Sequence, residues 1–130
     1  MIVLDTHVLV NDAMNPALLS RRARAAIADG QAANFLCCSD MSLWEIAMLI
    51  ARKRLRVDAD AGKFLEGVLA ARAIRVLPVT VQIAVLAQSD NFVHGDPADR
   101  VIAASALAHG AQLITADKRL RKVPGLKVIW

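Results

Sequence analysis

Aromatic residues are scarce: there is no tyrosine, and only three phenylalanines and two tryptophans stand among 130 residues. The core must therefore be built from Ala, Val, Leu and Ile, which suits helices packed closely on a sheet. Cysteine is nearly absent as well, confined to the adjacent pair Cys37-Cys38. Neighbours on a strand point to opposite faces, so a bridge between these two would be strained. No C-x-x-C motif or Cys/His cluster suggests zinc. The two thiols read as free core filler of a reducing compartment. Long apolar runs are missing too, and none approaches the roughly 20 residues a membrane span needs. Asp5 ends the first apolar stretch at once, which leaves no room for the charged and apolar regions of a signal peptide. A cytoplasmic protein that meets no membrane is the expectation.

What is present is aliphatic. A hydrophobic content of 56% excludes a disordered chain. A length of 130 residues fits one domain, 1–130, large enough to bury a core without staples. The net charge of +4 leans toward a polyanionic partner such as nucleic acid, although many small basic proteins bind none.

Short apolar runs alternate with helical stretches. Met1-Ile2-Val3-Leu4 reads as a buried strand. A helix follows from Thr6 to about Met14, broken at Asn15-Pro16. Residues 17–29 predict a second helix with Gly30 as its C-cap. The second strand is expected over 34–38, and Ser39-Asp40 opens a helix to about Arg52. Residues 60–73 predict a helix and 74–77 a strand. Thr80 caps a helix to about Ser89, 94–97 is a turn, and 97–109 is an Ala-rich helix with Gly110 as C-cap. Strands at 112–115 and 126–129 flank a short helical turn that begins at Asp117. This alternation is the signature of an α/β fold with a parallel sheet.

The informative acids sit near strand ends, where open α/β sheets bind ligands. Asp5 follows the first strand directly and Asp117 follows the fourth by two residues. Glu45 lies inside the apolar stretch 43–50, and must point out of the core or bind something, because burying an unpaired carboxylate is costly. Asp99 opens an Ala-rich helix. Each has a purely structural reading as well. Asp96-Pro97-Ala98-Asp99 looks like a helix start, Ser42-Leu43-Trp44-Glu45 fits a capping box, and Asp117, Asp5 or Thr6 can cap helices. Four acids at one rim nevertheless favour a metal site. Carboxylates without His or thiolate suit Mg²⁺ or Mn²⁺, and such an ion can activate water against a phosphodiester.

Taken together, four segments carry a resemblance. MIVLDTHVL (1–9), Ser42-Leu43-Trp44-Glu45-Ile46, His94 to Ala103 and Leu113-Ile114-Thr115-Ala116-Asp117 resemble, in order and spacing, the motifs of PIN-domain proteins of the VapC type. Ala98 stands where that pattern has Phe in Asp-Pro-Phe-Asp-Arg. The resemblance implies a three-layer fold with a five-stranded parallel sheet in order 3-2-1-4-5, flanked by helices. It implies a Mg²⁺/Mn²⁺-dependent endoribonuclease, the toxin of a VapBC-type pair, cutting RNA as a homodimer and silenced by a VapB-type antitoxin. The high apolar content also favours a symmetric dimer. Carried over, Asp5, Glu45, Asp99 and Asp117 are the catalytic and metal-binding acids, with Asp96 assisting from the same helical side. Thr6, Ser42, Thr115 and Arg100 support them, the hydroxyls by orienting carboxylates and Arg100 by steering phosphate or neutralising an acid. His7, His94 and His109 read as structural, and Trp44 as core or interface. The cations at 52–54 and 56, and at 118, 119, 121 and 122, are candidate RNA-backbone contacts or a solvated face. Two alternatives compete: a non-catalytic PIN-like RNA-binding module, which the full acid set disfavours, and a phosphohydrolase, whose Asp-x-Asp pattern is spoiled by His7.

Overall fold

The computed structural model describes residues 1–93 and 95–130, so His94, the first residue of the expected 94–97 turn, lies outside the described residues. The elements run β1 (Ile2–Leu4), α1 (Thr6–Met14), a 3₁₀ turn (Pro16–Leu18), α2 (Arg21–Ala32), β2 (Leu36–Ser39), α3 (Asp40–Ala51), α4 (Ala61–Ala71) and β3 (Arg75–Leu77). They continue with α5 (Val81–Leu86), α6 (Pro97–Ala108), β4 (Gln112–Ile114), a second 3₁₀ turn (Leu120–Lys122) and β5 (Lys127–Ile129). The strands pair in parallel in the order β3-β2-β1-β4-β5. The expected α/β architecture and strand order are therefore both present.

The apolar runs are continuous because the central strands are covered on both faces. Val3, Cys37 and Leu113 point into one core, shared with Ile83 of α5 and with Ile102, Ala103 and Ala106 of α6. Leu4, Cys38 and Ile114 point into the other, against Val8, Leu9, Ala23, Ile27 and Ile46 of α1, α2 and α3. Three layers result. The adjacent cysteines are free thiols that face opposite cores, as strand alternation requires. The alanines of α6 hold its axis close to the sheet; each large aliphatic buried around it contributes about 1.5–3 kcal/mol.

Four local expectations need correction. The helix expected over 17–29 starts later, because the Ser20 hydroxyl accepts from the Ala23 N–H at 3.0 Å and caps it there. It also passes straight through Gly30, which is not a C-cap. A Cβ at Gly30 would stand 2.5 Å from Leu36 Cδ2, so this glycine permits close approach of α2 to β2. Asn34, at φ 58°, supplies the left-handed residue and pushes the start of β2 from 34 to 36. Finally, Ser42 does not head a capping box: Ser39 caps α3 by accepting from the Met41 N–H at 3.1 Å. Ser42, one turn inside, is fully buried and accepts a bond from the Thr6 hydroxyl at 3.1 Å. Gly110, at φ +61°, follows the end of α6 as expected. Among the described residues, no helix is long and apolar enough to cross a membrane.

Candidate functional site

A parallel sheet presents all its strand carboxyl ends at one edge, and β1 and β4, the strands that precede Asp5 and Asp117, are neighbours there. Val3 pairs with Cys37 and Leu4 with Ile114, so the next row sets Asp5 between Ser39 and Thr115. All three are buried. The Asp5 N–H donates to the Ile114 carbonyl at 3.2 Å. Its Oδ1 accepts from the Val8 N–H at 3.0 Å and so caps α1. Burial pushes the Asp5 carboxyl above its ordinary range, and hydrogen bonds from the Thr115 side chain and the Val8 backbone, with the charge of His7, oppose that shift only in part.

Thr115 also receives the Asp117 N–H on its hydroxyl at 3.1 Å, and thereby links the two strand-end acids. The Asp117 carboxylate accepts from the Arg119 backbone N–H at 2.9 Å and from Nε and Nη2 of the same arginine, each at 3.3 Å. Asp117 thus shapes its turn, as a capping residue does, while remaining at the rim.

Glu45 comes from the second turn of α3, one turn beyond Ser42. The Thr6–Ser42 bond fixes this helix against the residue that follows Asp5. Glu45 Oε1 is buried and has no hydrogen-bond partner among the described residues. A carboxylate oxygen in that state is costly unless something else compensates it. On α6, Asp96 is the N-cap, accepting on Oδ1 from the N–H groups of Ala98 at 2.9 Å and Asp99 at 3.2 Å. Asp99 sits half-buried in the first turn. The starts of α3 and α6 enclose a cleft of about 700 Å³ lined by Asp40, Trp44, Glu45, Met48, Asp96 and Pro97, among others.

The acids therefore fall into two groups beside the strand carboxyl ends: Asp5 and Asp117, joined through Thr115, and Glu45 and Asp96, which line one cleft. Asp99 stands one turn from Asp96. Among the described residues, no three acids, histidines or cysteines stand close enough to hold a metal ion. Arg100 donates its Nε to the Ala87 carbonyl at 2.8 Å, which ties α6 to the end of α5. His7 is exposed, and His109 pairs Nδ1 with the Ser105 carbonyl at 2.9 Å at the end of α6. Of the two basic groups, the one at 118–122 adjoins Asp117. The group at 52–56 follows the 12-residue α3, about 18 Å along the helix from the rim.

Sequence reasoning passed over Ser39 and Asp40 as site residues. Ser39 flanks Asp5 in the sheet, and Asp40 lines the cleft while accepting from the Val79 N–H at 3.2 Å. The signal was there: Ser-Asp directly ends β2, by the same strand-end rule that singled out Asp5.

Comparison with known proteins gives a consistent picture. A family model for the PIN domain matches residues 2–126. Ribonuclease VapC22 of Mycobacterium tuberculosis is 33% identical over 132 aligned positions, covering 99% of this chain and 98% of that protein. The solved structure of VapBC2 from Rickettsia felis, bound to a DNA fragment from their promoter, matches with a TM-score of 0.73 at 17% identity, over 98% of this chain and 97% of that one. DNA-bound VapBC from Salmonella typhimurium matches with a TM-score of 0.70 at 20% identity, over 98% and 95%. At such identities the structural likeness speaks for the fold.

Proposed function

This chain belongs to the PIN-domain family and is VapC-like, and from that premise we propose that it is a metal-dependent endoribonuclease, the toxin of a VapBC-type pair. Residues 1–130 act as one domain. Asp5, Glu45, Asp99 and Asp117 hold Mg²⁺ or Mn²⁺, with Asp96 placing Asp99. The observation that carries this reading is the orphaned, buried Oε1 of Glu45 at the rim where the Asp5 carboxyl is also desolvated. Oxygen-only donors suit a hard cation, and a positive charge would relieve both penalties.

Bound there, a divalent cation supplies charge stabilisation to the phosphodiester and acidifies water for attack. The protein's own part is orientation. The Val8 N–H and the Thr115 hydroxyl fix the Asp5 carboxylate. The Thr6–Ser42 bond sets the position of α3 and hence of Glu45. The Asp96 cap fixes the first turn of α6, where Asp99 stands. Arg119, exposed beside Asp117, offers donors that an RNA phosphate can take, and Lys118, Arg121 and Lys122 add positive charge to the same rim.

The chain works in the cytoplasm and pairs as a homodimer. Val76 of the edge strand and the exposed Val81 and Val85, one turn apart on α5, support an isologous interface. Its toxicity is silenced by a VapB-type antitoxin. Expression in a bacterial host tests the toxin reading: the wild type arrests growth, while Asp5→Asn and Asp99→Asn made at equal levels are harmless. Normal growth with the wild type at those levels would refute it.

A further inference from the structure

Trp44 is one of only two tryptophans, yet it is 61% exposed. It precedes Glu45 and lines the same cleft, whose other uncharged walls are Met41, Met48, Pro97 and Ala98. Among the described residues, the charged groups that line this cleft are Asp40, Glu45 and Asp96. Its volume of about 700 Å³ is that of a small-molecule site.

We propose that Trp44 is a stacking platform for an unpaired nucleobase of the RNA substrate, seated in this cleft beside the scissile phosphate. The proposal rests on the ribonuclease reading above. Charge decides which part of the RNA enters. With Glu45 taken up by the cation, Asp40 and Asp96 remain to repel a second phosphate while leaving a neutral base unopposed, and carboxylate oxygens accept from exocyclic amino groups. Asp40 and Asp96 are held rigidly for that task, by the Val79 N–H and by the two N–H groups at the start of α6. An indole face takes any base by stacking. The carboxylates add a preference for adenine, cytosine or guanine over uracil, which offers no amino donor. A base inside a duplex has both faces covered, so the cleft selects single-stranded RNA. Trp44 positions substrate and takes no part in the chemistry.

Intrinsic fluorescence isolates this residue, because Trp130→Phe leaves Trp44 as the sole indole. Neutral nucleosides are the probes, since they are not cleaved and carry no phosphate. Adenosine and cytidine quench Trp44 saturably and more strongly than uridine, after correction with N-acetyltryptophanamide. In cation-supported cleavage of single-stranded RNA, Trp44→Ala raises KM about tenfold with kcat little changed, and Trp44→Phe restores most of the loss. Absence of quenching, quenching equal for all nucleosides, or a Trp44→Ala loss confined to kcat would each overturn the proposal. So would a Trp44 signal that follows protein concentration alone, with Trp44→Ala monomeric, because the cleft would then belong to a second copy. If the wild type cuts RNA but Trp44 is silent, only this inference falls. If the wild type cuts no RNA under any divalent cation, the ribonuclease reading falls first.

Discussion

Replacing Asp5 by Asn and by Ala separates its two roles. As an N-cap, Asp5 accepts from the Val8 N–H at 3.0 Å; Asn caps a helix about as well as Asp, whereas Ala loses roughly 0.5–2 kcal/mol. Ala also leaves the buried Thr115 hydroxyl without this acceptor, a loss of about 1 kcal/mol. Charge acts in the opposite direction. Because burial raises the Asp5 pKa, the folded state holds this proton more tightly than the unfolded chain does. The contribution is therefore fully present below the unfolded value near 3.8 and is lost as pH rises through the folded one. At neutral pH and without divalent cations, Asp5→Asn should equal or exceed the wild type in stability, while Asp5→Ala should lie about 1–3 kcal/mol below the Asn variant, or roughly 4–12 °C in Tm. Thermal unfolding in EDTA, followed by circular dichroism between pH 4 and 8, measures both. The Asn advantage should shrink toward pH 4. If Asn is as destabilising as Ala at pH 7, the carboxylate's charge is already compensated, and the case for a cation at this rim loses its footing.

Further outcomes follow from other sites. Gly30→Ala should destabilise by about 1 kcal/mol, because overpacking against Leu36 costs about 1–3 kcal/mol and better helix propensity returns about 1; a higher Tm would refute the close-approach account. Both thiols should resist iodoacetamide in the native chain at pH 8 and react once it is unfolded. Burial, with Cys37 and Asp40 nearby, pushes the Cys38 thiol up to about 12. Light scattering should give twice the 14.0 kDa chain mass at high micromolar concentration, and a monomer there would contradict the dimer.

Much of the fold was legible because buried parallel strands must be apolar on both faces, and IVL, LCC and LI flanked by breakers have few other readings. The strand order was not contained in that pattern; it came with the family resemblance. The errors arose where one residue type serves two ends. Glycine both caps helices and admits close neighbours, and periodicity does not reveal that Leu36 lies against position 30. Ser42 and Glu45 match a capping box, but Ser39 competes for the same role and wins, which frees Ser42 to bond Thr6 across 36 positions of chain. Asp5 and Asp117 were singled out by their place after strands and Asp96 by the helix start it forms, and all three cap or shape turns in the structure. Local signals read such double duty as a choice between roles. The exposure of Trp44 was invisible for a related reason: it stands in an apolar run whose neighbour Ile46 is fully buried.

Metal-dependent RNA cleavage by the rim carboxylates is measured with a fluorophore-labelled single-stranded RNA and purified wild type, Asp5→Asn and Glu45→Gln, titrated with Mg²⁺ and Mn²⁺ after EDTA treatment. A cation held by these carboxylates predicts no cleavage by the wild type in EDTA and saturable recovery with either cation. It predicts at least a hundredfold loss, on the order expected when a metal-activating carboxylate is neutralised, in both variants, which remain folded. Cleavage by the wild type in EDTA, or equal cation-supported rates in all three proteins, would contradict it.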